Sequence, residues 1–191
     1  MLFAHDTEQG LLEIAALVNT TGAEREDLPD IAALDAFVRH WGWTGRRDRD
    51  EAELGAVHAL RPRLRELWQA SEDRVVAIVN QLLRDGHALP QLVKHDGWDY
   101  HLHATPSDAP LATRMAVDAA MAVLELVRTK ELSRLRICEY PGCQSVVVDL
   151  SKNRSKRYCE GSCGNRAAVA AYRARKADAA RSRARPRRRP S

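Results

Sequence analysis

Apolar positions recur at helical spacing in five stretches before residue 130. The run 10–19, GLLEIAALVN, is apolar on all sides and predicts a first, largely buried helix. Leu28-Pro29-Asp30 opens a second, with Ile31, Leu34, Phe37 and Val38 in register and Trp41-Gly42-Trp43 closing it. Acidic residues at 48–53 lead into a third pattern through Leu54, Val57, His58, Leu64 and Leu67. Pro62 falls inside it and is expected to kink the helix or restart it as a first-turn proline. A fourth, amphipathic helix over 72–84 ends at Gly86. The period then drops to two, because 91–95 and 98–103 alternate on either side of Asp96-Gly97, a strong hairpin signal. Pro106-Ser107-Asp108 precedes the fifth helix, with Ser107 or Asp108 as its expected N-cap. From Leu111 to Val127 that helix is apolar on nearly every face, interrupted by Asp118, which places it at the centre of the domain.

Beyond residue 132 the helical period disappears. Arg136-Ile137 and 145–149 predict short strands around a cysteine knuckle, and the Ala- and Arg-rich 163–183 predicts a last helix. The tail RPRRRPS has no large apolar residue and is expected to be disordered. There are no internal repeats. The expected organisation is a helical domain over 1–132 with one hairpin, a small module over 133–180, and a basic disordered tail over 181–191.

Charge sharpens that division. The whole chain carries a formal +4, but residues 1–137 hold 16 basic and 22 acidic side chains, a net −6. Residues 138–191 hold 14 basic and 4 acidic, a net +10. Such asymmetry points to nucleic acid or another acidic surface as a partner of the basic end. A hydrophobic fraction of 45% excludes wholesale disorder. The first ten residues, MLFAHDTEQG, carry acids where an export signal needs basic residues, and the longest apolar run falls well short of a bilayer span. A cytoplasmic protein without membrane contact is expected.

All four cysteines lie between 138 and 163. Cys138 and Cys143 form one pair, Cys159 and Cys163 the other, separated by fifteen residues, as tetrahedral zinc requires two turn-held pairs joined by a folding segment. Cys163 also falls where the last helix begins, and the helix dipole favours its thiolate. No His or carboxylate pair lies nearby to make an open catalytic site, so one structural Zn²⁺ is expected. Buried or disulfide-bonded cysteines without metal are the competing reading. A module of this size lacks apolar residues for a core of its own, and structural zinc supplies on the order of 10–16 kcal/mol in small fingers.

Cys163-Gly164-Asn165-Arg166 resembles the signature of the CGNR zinc-finger family, and the resemblance extends from Arg136 to Lys176. It implies a treble-clef-like four-cysteine finger ending in a basic helix, behind an N-terminal domain of the ABATE type with a proposed role in stress-induced transcription regulation. The N-terminal part is similar to that domain at Leu17-Val18-Asn19-Thr20, at His101-Leu102-His103 and in the apolar helix that follows. It departs from it where Ala-Leu-Val replaces the acidic residue expected before the Asn-Thr pair. The overall class is thus mainly α with a small β-hairpin.

Candidate nucleic-acid contacts are Arg154, Lys156, Arg157, Arg166, Arg173 and Lys176, with Lys152 and Arg175 beside them. Arg166 and Arg173 are seven apart and share a helix face, with Val169 and Tyr172 expected to pack the helix onto the finger. Arg and Lys in such a helix read guanine edges and hold phosphates, although basic Ala-rich helices also serve as solvated surfaces. Asn165 offers either a base contact or a bond to backbone beside the zinc loop. Thiolates and zinc together reduce the local +10 to about +8.

The remaining candidates have ordinary readings. His95, His101 and His103 fall on the hairpin as surface or hydrogen-bonded residues, with a ligand role as the alternative. Trp41, Trp43, Trp68 and Trp98 fit a core or domain interface, and Asn19 fits a helix cap. No P-loop, dinucleotide turn or nucleophile elbow occurs, and no enzyme activity is expected. The expectation is therefore a zinc-dependent, DNA-binding transcriptional regulator whose helical domain senses a small-molecule signal or forms a homodimer. The alternative is a zinc-stabilised module docking onto protein or RNA without sequence-specific DNA binding.

Overall fold

The computed structural model describes residues 3–22, 25–94 and 100–184. Helix α1 spans His5–Asn19, α2 Ile31–Trp41, α3 Glu51–Arg65 and α4 Glu72–Asp85, with the two-residue pair β1 (Thr21–Gly22) and β2 (Arg25–Glu26) between the first two helices. The antiparallel pair β3 (Gln91–Val93) and β4 (His101–His103) follows, in the register Gln91↔His103. Helix α5 spans Leu111–Arg128, β5 (Leu135–Ile137) pairs antiparallel with β6 (Val146–Val148), and α6 spans Cys163–Ala184. No helix among the described residues is long and apolar enough to cross a membrane.

Side chains that offer an acceptor where a helix has spare donors set three of these starts. Asp30, Asp50 and Ser71 accept from the backbone N–H of Ala33, Glu53 and Arg74. Gly42 ends α2 in the left-handed region at φ +73°, which a residue with a Cβ adopts only under strain.

Two expectations are corrected. Pro62 does not restart the helix: α3 runs through it to Arg65. The proline lies on the exposed face, where water can satisfy the carbonyl its ring leaves without a donor. Neither Ser107 nor Asp108 caps α5. Its N-cap is Pro110, which has no side-chain bond, and the loop before it is held instead by Arg114, whose guanidinium donates to the carbonyls of Ser107, Ala109 and Arg46. The Asp96-Gly97 turn lies outside the described residues, as do His95 and Trp98.

Helix α5 is central as expected, buried at Leu111, Met115, Val117, Ala119, Ala120, Val123 and Leu126 beneath α1, α3 and α4. Gly10 lets α1 come close: a Cβ there would stand 3.3 Å from that of Ala122. The β5–β6 ladder belongs to the same core, because Val146 and Val148 are buried among residues of α1, α3 and α5. Asn19 closes α1 as expected but does not act as a cap. Its amide behaves as a strand neighbour, donating to the Val146 carbonyl at 2.9 Å and accepting from the Val146 N–H at 2.8 Å. Trp68, 7% exposed, donates through Nε1 to the Val147 carbonyl at 3.0 Å. The C-terminal module is thus docked on the helical domain by backbone-directed bonds.

Candidate metal centre and ligand cavity

Cys138 follows β5, Cys143 lies in the turn before β6, and Cys163 is the first residue of α6. Gly142, at φ +79°, supplies the left-handed step that turns the chain between the first two. The Sγ atoms of Cys138, Cys143, Cys159 and Cys163 all lie within 4.8 Å of one another, and that of Cys143 is 3.9 Å from that of Cys159. A tetrahedron with Zn–S bonds of about 2.3 Å has S–S edges of roughly 3.8 Å, so the donor set fits zinc in size, number and softness. All four positions are thiols, which makes the site closed and structural.

Neighbouring groups support a shared negative charge. The Cys159 N–H donates to the Cys138 Sγ at 3.4 Å, and Arg166 Nη2 donates to the Cys163 Sγ at 3.1 Å. Burial opposes ionisation of Cys143, but hydrogen bonds with Ser145 outweigh it and bring the thiol down to about 6. Burial pushes Cys159 up to about 12. One thiol down and another up is how a tight cluster divides its charge, and a dication would hold all four as thiolates.

The six candidate nucleic-acid residues are not equivalent. Arg166 turns back over the Tyr140 ring, 4.2 Å from its centroid, as well as onto Cys163. Arg154 pairs with Glu131 at 2.8 Å, Lys156 with Glu160 at 3.1 Å, and Arg157 with Glu139 at 2.6 Å. Arg173 and Lys176 are exposed on α6 and have no ion-pair partner among the described residues. Val169 and Tyr172 do not pack α6 onto the finger: they are 49% and 60% exposed, and the contact is made by Arg166 on Tyr140. Asn165 is exposed and bonds to no backbone of the zinc loop among the described residues.

A second feature bears on the ligand role that the sequence left as an alternative for the hairpin histidines. Between α1, α2, β4 and α5 lies a cavity of about 390 Å³ walled by Trp41, Trp43, Met121 and Leu124. Glu13 of α1 and Asp118 of α5 both face it, as do His101 and His103, whose Nε2 atoms are 3.0 Å apart. Burial pushes the Glu13 carboxyl up to about 7, with Asp118 adding to the rise and the Gln9 amide opposing it. Burial likewise pushes Asp118 up to about 7, against a partial counter-pull from Arg114. The signal available in the sequence is an acidic residue set inside the apolar stretch of each helix, Glu13 in α1 and Asp118 in α5.

Helical core, docked ladder and closed four-thiol centre define a metal-held finger built onto a helical domain. The model of the CGNR zinc finger matches residues 134–176. The ABATE model, described as "Putative stress-induced transcription regulator", matches residues 14–130, more than half of the chain. The chain belongs to the ABATE family and carries a CGNR zinc finger. No curated protein matches it.

Proposed function

We propose that the chain is a non-enzymatic, cytoplasmic transcriptional regulator that binds DNA through α6 and the zinc-held finger, while the helical domain senses a small-molecule signal. The observation that carries the DNA reading is α6. From Ala168 to Ala177 every residue of it is exposed, and Arg173, Arg175 and Lys176 extend from a first turn fixed by Cys163. A helix of 22 residues is about 33 Å long. With no apolar face to bury, it is marginal without a partner, and its charge suits phosphates. The family description supports regulation, and the cavity supports sensing.

Fluorescence anisotropy of the zinc-loaded chain on random and promoter DNA at about 50 mM salt tests the reading. If the exposed Arg173, Arg175, Lys176 and Arg181 each neutralise one phosphate, log affinity should fall with log salt at a slope of about −3.6. Substituting Arg173 and Lys176 together should make that slope shallower by about 2 with the fold intact. Absence of binding at low salt, or an unchanged slope in the double variant, removes DNA from the reading. Exposed Val169 and Tyr172, three residues apart on α6, favour a protein or RNA partner in that event.

A further inference from the structure

The cavity beside α1 and α5 is lined by more acidic than basic side chains. It is faced by Asp6 and Glu13 from α1, His101 and His103 from β4, and Arg114, Asp118, Glu125 and Arg128 from α5. Arg114 spends its guanidinium on three backbone carbonyls. Arg128 sits at the exposed rim, 3.3 Å from Glu125. Asp6 accepts from the Leu102 N–H at 3.2 Å, which fixes β4 against α1. That leaves Glu13, whose carboxylate accepts only from the Gln9 amide at 2.9 Å among the described residues, and Asp118, which has no hydrogen-bond partner among them. Asp118 is partly exposed and lines the cavity.

We propose that this cavity binds a small organic cation with an aromatic or apolar body, its ammonium between Asp118 and Glu13 and its body against Trp41 and Trp43. Helices α1 and α5 touch at Gly10 and Ala122, one turn from both carboxyls, so the two acids flank a single cleft. Two desolvated carboxylates that repel each other gain most from a cation, and tryptophan faces attract one. An anion would meet four carboxylates, and a neutral ligand would leave Asp118 unmatched. The volume, about 390 Å³, lies within the range of small-molecule sites. This ligand class rests on the sensor reading of the helical domain.

Calorimetric titration of the zinc-loaded full chain, without DNA, compares phenethylamine with its neutral and anionic counterparts, phenylethanol and phenylacetate. The amine should bind at least about tenfold more tightly than either. Asp118→Asn should remove that preference while unfolding stays cooperative, and Glu13→Gln should weaken it to a lesser degree. Equal binding of all three, full amine affinity in Asp118→Asn, or no amine binding up to roughly 10 mM would overturn the assignment. Binding of Co²⁺ in place of the amine, abolished by His103→Ala, would overturn it as well. DNA affinity is read separately, so an empty cavity beside intact DNA binding rejects the cation and leaves the finger's reading standing.

Discussion

Asp118 interrupts the apolar central helix α5, and its presence costs stability. Burial raises both it and Glu13 to about 7, above their values in an unfolded chain. Between roughly pH 4 and pH 7 the fold therefore retains protons that the unfolded chain has released, and stability falls as pH rises through that window. Asp118→Asn should accordingly raise the melting temperature more at pH 8 than at pH 5, in scanning calorimetry at both. An equal shift at the two pH values would show that ionisation is not the source. Arg166 illustrates the opposite case. The last letter of the CGNR signature invites a base contact, but its guanidinium is bound to the metal centre and Tyr140, where it offsets thiolate charge.

Among the elements, α6 has the least holding it in place. From Ala168 to Ala177 every residue is exposed, so local propensity dominates. Ala170→Gly should cost the helix about 1 kcal/mol, lower the far-ultraviolet ellipticity and weaken DNA binding up to about fivefold. The melting temperature of the rest should be unchanged; a clear drop would mean that α6 is docked. The elements most legible in the sequence are those governed by neighbours along the chain. Residues 72–84 match α4 within a residue because period and glycine agree, and the cysteine spacing locates the metal centre because ligand pairs need short turns. Pro62 misleads because its cost depends on which face meets water. Ser107 and Asp108 mislead because the loop before α5 is held by an arginine from the helix itself. The role of Asn19 is hidden, since its partner Val146 lies 127 positions away. The cavity arises only when α1, β4 and α5 converge, and no local pattern encodes that.

For the molecule as a whole, the charge split and the structural joint do not coincide. The net charge changes sign near Cys138, yet the β5–β6 ladder on either side of that cysteine is part of the helical core. Zinc removal should therefore not melt the finger alone. A chelator, or Cys143→Ser, should lower the melting temperature of the entire chain in one transition by about 10 °C or more, since structural zinc contributes several kcal/mol to folding. Two separate transitions, with the helical domain unshifted, would contradict the docking through Asn19 and Trp68. The placement of β6 has a consequence for synthesis. Val146 and Val148 emerge from the ribosome after every helix of the N-terminal domain, and the cysteines at 159 and 163 that complete the metal cluster emerge later still. Until then α1 and Trp68 present uncovered apolar surface and unmatched polar groups to proteases. Where metal closure holds β6 in place, metal supply would set the abundance of the protein.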